Sequence, residues 1–159
     1  MDYFQGVVIE YLRADRAMFV NTECLIQLEP GDVLAKGRHW YCDAVAINHR
    51  ESTVYLCEIT YATTMYALLT RLQAWDAQWP SLCTAIVRDC CIPVWWQIQP
   101  WVFVPENRSA ALSEKLSAFV KADHVAGHMP NPKVTYLESV LPWKYQQWDR
   151  KTSAFESDA

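Results

Sequence analysis

The stretch that most restricts the fold runs from Arg38 to Tyr61, RHWYCDAVAINHRESTVYLCEITY. Two runs rich in β-branched and aromatic residues, 39–48 and 53–61, flank the polar tetrapeptide His49-Arg50-Glu51-Ser52, the pattern of a β-hairpin. Setting Asn48 opposite Thr53 places Ile47 against Val54, Val45 against Leu56, Asp43 against Glu58 and Tyr41 against Thr60, because directly opposed residues of antiparallel strands share a face. The reverse face carries Ala46 with Tyr55, Ala44 with Cys57, Cys42 with Ile59 and Trp40 with Tyr61. Both faces are apolar, so the hairpin is predicted to lie in the middle of a sheet covered by helices above and below.

The exception is the acid pair. Asp43 and Glu58, about 5 Å apart in that register, repel each other. Removing them from water costs more unless they are protonated, paired with a base or bound to a metal. A divalent-cation site is one reading. Strand ends that fray into solvent, or an Arg or Lys capping the pair, is the other.

Around the hairpin the periodicity alternates between helix and strand. Asp2 can cap a helix through about Ala14, with Phe4, Val7, Val8, Tyr11 and Leu12 on one buried face. Glu10 falls roughly 130° from the centre of that stripe, a position that favours solvated surface. Residues 18–28 read as a first strand, closed by Glu29-Pro30-Gly31-Asp32. After Thr60 the period lengthens, and Met65, Leu68, Leu69, Leu72, Trp75 and Trp79 mark a helix over 62–79. Pro80 suits the first turn of a second helix reaching Cys90. Residues 94–104 form a strand in which Pro100 calls for an edge position or a bulge. A helix capped by Asn107 or Ser109, with Leu112, Leu116, Phe119 and Val120 inward, precedes a late strand over 134–140.

This order, with Asp43 in one strand of the hairpin and Glu58-Ile59-Thr60 in the next, resembles the PD-(D/E)XK nuclease superfamily. The third motif position is Thr60, where these nucleases usually carry lysine. The resemblance implies an α/β, restriction-endonuclease-like three-layer sandwich, a central mixed sheet with an antiparallel hairpin core and helices on both faces. It implies metal-assisted phosphodiester hydrolysis with Asp43, Glu58 and the Ile59 carbonyl holding Mg²⁺ or Mn²⁺. Thr60 stands at the catalytic lysine position, and Glu10 is the residue the family would set near the metal. Lys36, Arg38 or Arg71 could replace the missing positive charge, and these three with Gln73 are the candidate contacts to nucleic acid, DNA in the first instance. A catalytically inactive member of the fold, serving as a protein- or nucleic-acid-binding module, is the alternative.

Composition bounds these readings. A chain of 159 residues, 52% apolar and 20% charged, is expected to form one domain over residues 1–151, with a disordered tail over 152–159. No apolar run approaches the roughly 20 residues of a membrane span, and Met1-Asp2-Tyr3 opens no hydrophobic signal core, so a cytoplasmic protein is expected. Six cysteines without a C-x-x-C pair read as free thiols in a reducing compartment. A net charge of −4 without a basic stripe weighs against an unselective grip on duplex backbone. Trp95, Trp96 and Trp101 could stack on bases, pack in the core or meet a protein partner, and a homodimer is one option by analogy with nucleases that cut as pairs. His124 and His128 would share a face on a helix and could ligate zinc, but Gly127 and Pro130 argue against helix there and no third ligand is evident.

Overall fold

The structure, a computed structural model, describes residues 2–117 and 127–147. Phe119, Val120, His124 and the tail over 152–159 lie outside them. Helix α1 spans Tyr3–Arg13 and begins in a capping box: the Asp2 carboxylate accepts the Gln5 N–H at 2.8 Å, and the Asp2 N–H donates back to Gln5 Oε1 at 3.3 Å. Three strands follow, β1 (Met18–Gln27), β2 (His39–Asn48) and β3 (Thr53–Ile59), then helices α2 (Tyr66–Ala77) and α3 (Trp79–Cys90). Strand β4 (Gln97–Val104), helix α4 (Ser109–Ser117) and the short β5 (Lys133–Tyr136) complete the described elements.

The five strands form one sheet in chain order. β1–β2 and β2–β3 are antiparallel, whereas β3–β4 and β4–β5 are parallel. The predicted hairpin register is present from Asn48–Thr53 to Ala44–Cys57. Asn48 fixes the turn, its carbonyl oxygen accepting the N–H groups of Arg50 and Glu51 at 2.9 and 3.0 Å. All seven residues of β3 are buried, as a central strand between two helical layers requires.

One layer is α1, whose Val7, Val8, Ile9 and Leu12 pack on Ala44, Ala46, Tyr55, Cys57 and Phe103. The opposite layer is α2 and α3, whose Leu68, Leu72, Trp75, Leu82 and Ile86 pack on Val45, Val54, Leu56 and Val102. The chain is therefore α/β with helices on both faces of a mixed sheet.

Three elements differ from the sequence reading. The late strand expected over 134–140 is confined to Lys133–Tyr136, and Leu137–Ser139 forms a 3-10 turn. α2 starts at Tyr66 rather than 62, because the Thr60 hydroxyl accepts the Ala62 N–H at 3.2 Å and this local turn competes with helix. α2 also stops at Ala77, since Pro80 has no N–H with which to continue its ladder. Pro100 sits in an interior strand, not at an edge or bulge, but β5 pairs only with Trp101–Val104, so Pro100 lies in the part of β4 that β5 leaves uncovered. No helix among the described residues is long and apolar enough to cross a membrane.

Candidate functional site

Asp43 and Glu58 come together at the carboxyl ends of the parallel strands β3 and β4, the end of such sheets at which α/β proteins commonly build their sites. The route differs from the predicted one. β2–β3 pairing ends at Ala44–Cys57, and Asp43 does not simply face Glu58 across the ladder. Its carboxylate turns in and accepts the Ile59 N–H at Oδ2, 2.8 Å away, satisfying a donor that the parting strands expose.

The parting coincides with a change of face. Ala44 and Ala46 pack against the α1 layer, yet Cys42 packs on the α2–α3 side, not on the Ile59 side as strict alternation predicts. On β1, Val20 and Cys24 divide the same way. Between them Glu23 has φ 49°, a left-handed backbone uncommon for a residue with a side chain. Glu23 lies between the paired positions Thr22–Ala44 and Cys24–Cys42, opposite Asp43, so its left-handed backbone coincides with the change of face.

Two helices complete the site. From α1, Gln5 Nε2 donates to Asp43 Oδ1 at 3.1 Å, while its carbonyl oxygen is held by the Asp2 cap. From α2, Arg71 Nη1 donates to Glu58 Oε1 at 2.8 Å and to the Tyr41 carbonyl at 2.7 Å. Glu58 is 7% exposed. Its carboxyl is pushed up to about 7, by burial first and then by the Asp43 charge, with Arg71 acting against both. Asp43 is also raised, chiefly by burial, while the Ile59 N–H and Arg71 draw it down. Of the two, Glu58 is the carboxyl raised further and the readier to hold a proton.

The other predicted site residues lie apart from this pair. Thr60 donates its N–H to the Phe103 carbonyl at 3.0 Å and spends its hydroxyl on Ala62. Glu10 is half-buried on α1, about 7.5 Å along the axis from Gln5 and about 140° around it. The α1 side chain that bonds Asp43 is Gln5, a role the sequence signalled only through its capping position. Arg38 is tied to Glu29 and donates to Gln78 Oε1 at 2.8 Å. Lys36 and Gln73 are exposed, and Gln73 lies about 200° around α2 from Arg71. Trp101 is buried in the core while Trp95 is exposed. His128 is exposed in a loop.

The carboxylates of Asp43 and Glu58 are hard oxygen donors, the kind taken by Mg²⁺ or Mn²⁺, ions that keep several waters and need few protein ligands. Among the described residues no group of three or more His, Cys, Asp or Glu side chains is assembled to hold a metal, so such an ion would rest on this pair. A cleft of about 330 Å³ between β1 and α3, lined by Phe19, Cys24, Leu25, Ile86 and Cys90 among others, does not include it. Comparison of the chain with family models, with curated proteins and with solved structures returned no match.

Proposed function

We propose that this chain is a divalent-metal-dependent, nuclease-like protein of the restriction-endonuclease-like fold, hydrolysing phosphodiester bonds in nucleic acid, DNA in the first instance. The observation that carries the reading is the convergence of Asp43 and Glu58 at the end of β3; the Arg71 guanidinium caps Glu58 from α2, the arrangement set against a cation site on sequence grounds, so an ion must share that carboxylate with it. The element order supports it, as does the sheet with α1 on one face and α2–α3 on the other.

In this scheme Asp43 and Glu58 hold the ion and Gln5 and the Ile59 N–H orient Asp43. Mg²⁺ or Mn²⁺ held there by Asp43 and Glu58 would acidify a bound water and would offset charge on the phosphate. Arg71 provides the positive charge that Thr60 lacks. A guanidinium cannot serve as a base, but it can hold a phosphate oxygen in a fork of donors. Before an ion enters, the Glu58 proton and Arg71 offset the charge of the pair. Six unpaired thiols fit a reducing, cytoplasmic setting.

The test is cleavage of fluorophore-labelled DNA in Mn²⁺, with Asp43→Ala as control. The reading predicts cleavage that EDTA and the substitution both abolish. A second reading, a non-catalytic module on the same fold, is favoured by the Thr60 side chain facing Ala62 and by exposed Val94 and Trp95 as a partner surface. Cleavage that is absent, or indifferent to Asp43→Ala, decides for it.

A further inference from the structure

A second cavity opens on the α1 side of the sheet, beside the turn that joins β2 to β3, whereas the carboxylate pair stands at the far end of β3. It measures about 340 Å³ and lies between the end of α1, that turn, β4 and the start of β5. Tyr11, Trp101 and Tyr145 all line it. Tyr11 meets the other two rings edge-on, with centroids 6.4 Å from Trp101 and 5.2 Å from Tyr145, so the three form one wall. The volume falls at the lower end of small-molecule sites, about 300–1,000 Å³, which combine apolar walls with a few fixed polar groups.

The fixed groups here are two charges of opposite sign. Glu51, in the turn, lines the cavity and has one donor on each carboxylate oxygen. Asn48 Nδ2 donates to Oε1 and the Tyr55 hydroxyl donates to Oε2, both at 2.7 Å. Both donors are buried. Burial first, and then the bond to Glu51, push the Tyr55 hydroxyl up, so it stays a neutral donor. The carboxylate is aimed without losing its charge. Lys133 opens β5, and its ammonium stands 3.9 Å from the Trp101 ring centroid and 5.3 Å from that of Tyr55. Ring faces hold a cation through their quadrupole and leave its charge in place. Tyr55 therefore touches both charges, its hydroxyl the anion and its ring the cation. Yet Glu51 and Lys133 form no ion pair with each other or with another described residue. Asp15, the other acid of the cavity, is taken by Arg50 at 3.1 Å.

A carboxylate and an ammonium that share a cavity without neutralising each other suit a ligand that carries the opposite pattern. An α-amino acid bears its ammonium and its carboxylate on one carbon and can meet both groups at once. Its side chain then falls on the wall, where an aromatic ring gains edge-to-face contacts. A ligand with only one charge leaves Glu51 or Lys133 unmatched. We propose that this cavity binds a free aromatic α-amino acid, its ammonium on Glu51, its carboxylate on Lys133 and its ring against Tyr11, Trp101 and Tyr145. The inference is independent of the nuclease-like reading, since these residues are not among those that hold Asp43 and Glu58.

The experiment is isothermal titration calorimetry of the full chain with L-phenylalanine, L-tyrosine and L-tryptophan. Beside each run the matching arylethylamine, which lacks the carboxylate, and the matching arylpropionate, which lacks the ammonium. At least one of the amino acids should bind at one site per chain, and its two analogues at least about tenfold more weakly, the loss of one charged hydrogen bond. Lys133→Met, at an exposed position, should weaken binding about ten- to a hundredfold, and Lys133→Arg, keeping a cation, should retain most of it. Glu51→Gln, which removes the charge and keeps the shape, should act like Lys133→Met. No saturable heat with any of the three amino acids, an analogue that binds as tightly as its parent, or indifference to Lys133→Met would overturn the proposal.

Discussion

The carboxyl pair should make the stability of this protein fall as pH rises through neutrality. Glu58 has a reference value of 4.5 and is pushed up to about 7 in the fold. Below about 4.5 it is protonated in both states and contributes no pH dependence. Between the two values the folded state holds a proton that the unfolded chain has released, so stability declines with pH. A gap of about 2.5 units, at about 1.4 kcal/mol per unit, corresponds to about 3 kcal/mol lost by the time the pH exceeds the folded value. Asp43, raised in the same direction, adds to the effect. Glu58→Gln mimics the protonated acid: its carbonyl can accept from Arg71 and its amide can donate to Asp43. Urea unfolding followed by tryptophan fluorescence from about pH 4 to about pH 8 reads the difference. Wild type and variant should nearly coincide at the acid end, and the variant should be about 3 kcal/mol more stable at the alkaline end. Parallel curves for the two proteins would refute the assignment of the proton to Glu58.

Leu72 is fully buried between α2 and the sheet, so Leu72→Ala should cost about 2–5 kcal/mol in the same unfolding assay. Asn48→Ala strips the acceptor from the Arg50 and Glu51 N–H groups and should cost about 2 kcal/mol, with the loss seen as a lower urea midpoint. In the cleavage assay, Arg71→Ala should lower the rate at least about a hundredfold, the usual loss for one charge-stabilising donor, while Arg71→Lys, keeping a cation, should lose less. Equal rates for wild type and Arg71→Ala would remove Arg71 from the chemistry.

The hairpin was legible because apolar runs on both sides of a polar tetrapeptide allow few registers, and Asn48 opposite Thr53 is the one adopted. Asp2 as a cap and the buried face of α1 followed from spacing in the same way. The meeting of Asp43 with Glu58 was anticipated for an incomplete reason. Alternation puts them on one face, but the strands change face beside Glu23, and a single positive φ leaves no mark in a run of strand-forming residues. Gln5 was missed because its bond to Asp43 spans 38 positions and nothing local distinguishes it from an ordinary capping glutamine. Arg71 was named among three candidate cations. Choosing it over Lys36 and Arg38 needed the packing of α2 on β3, since Arg38 is drawn aside by Glu29 and Gln78, residues that sequence order keeps far from one another. Thr60 shows the opposite failure. Its motif position suggested chemistry, while its hydroxyl serves the turn that delays α2.

The claim on which the functional account turns is that the carboxyl pair accepts a divalent cation in exchange for a proton. Calorimetric titration of the protein with Mn²⁺ at about pH 8, beside Asp43→Ala, measures this directly, because metal binding to a protonated site releases protons and strengthens with pH. The account predicts one site per chain that weakens markedly toward about pH 6, below the Glu58 value, and disappears in Asp43→Ala. No heat of binding, or a site untouched by the substitution, would contradict it.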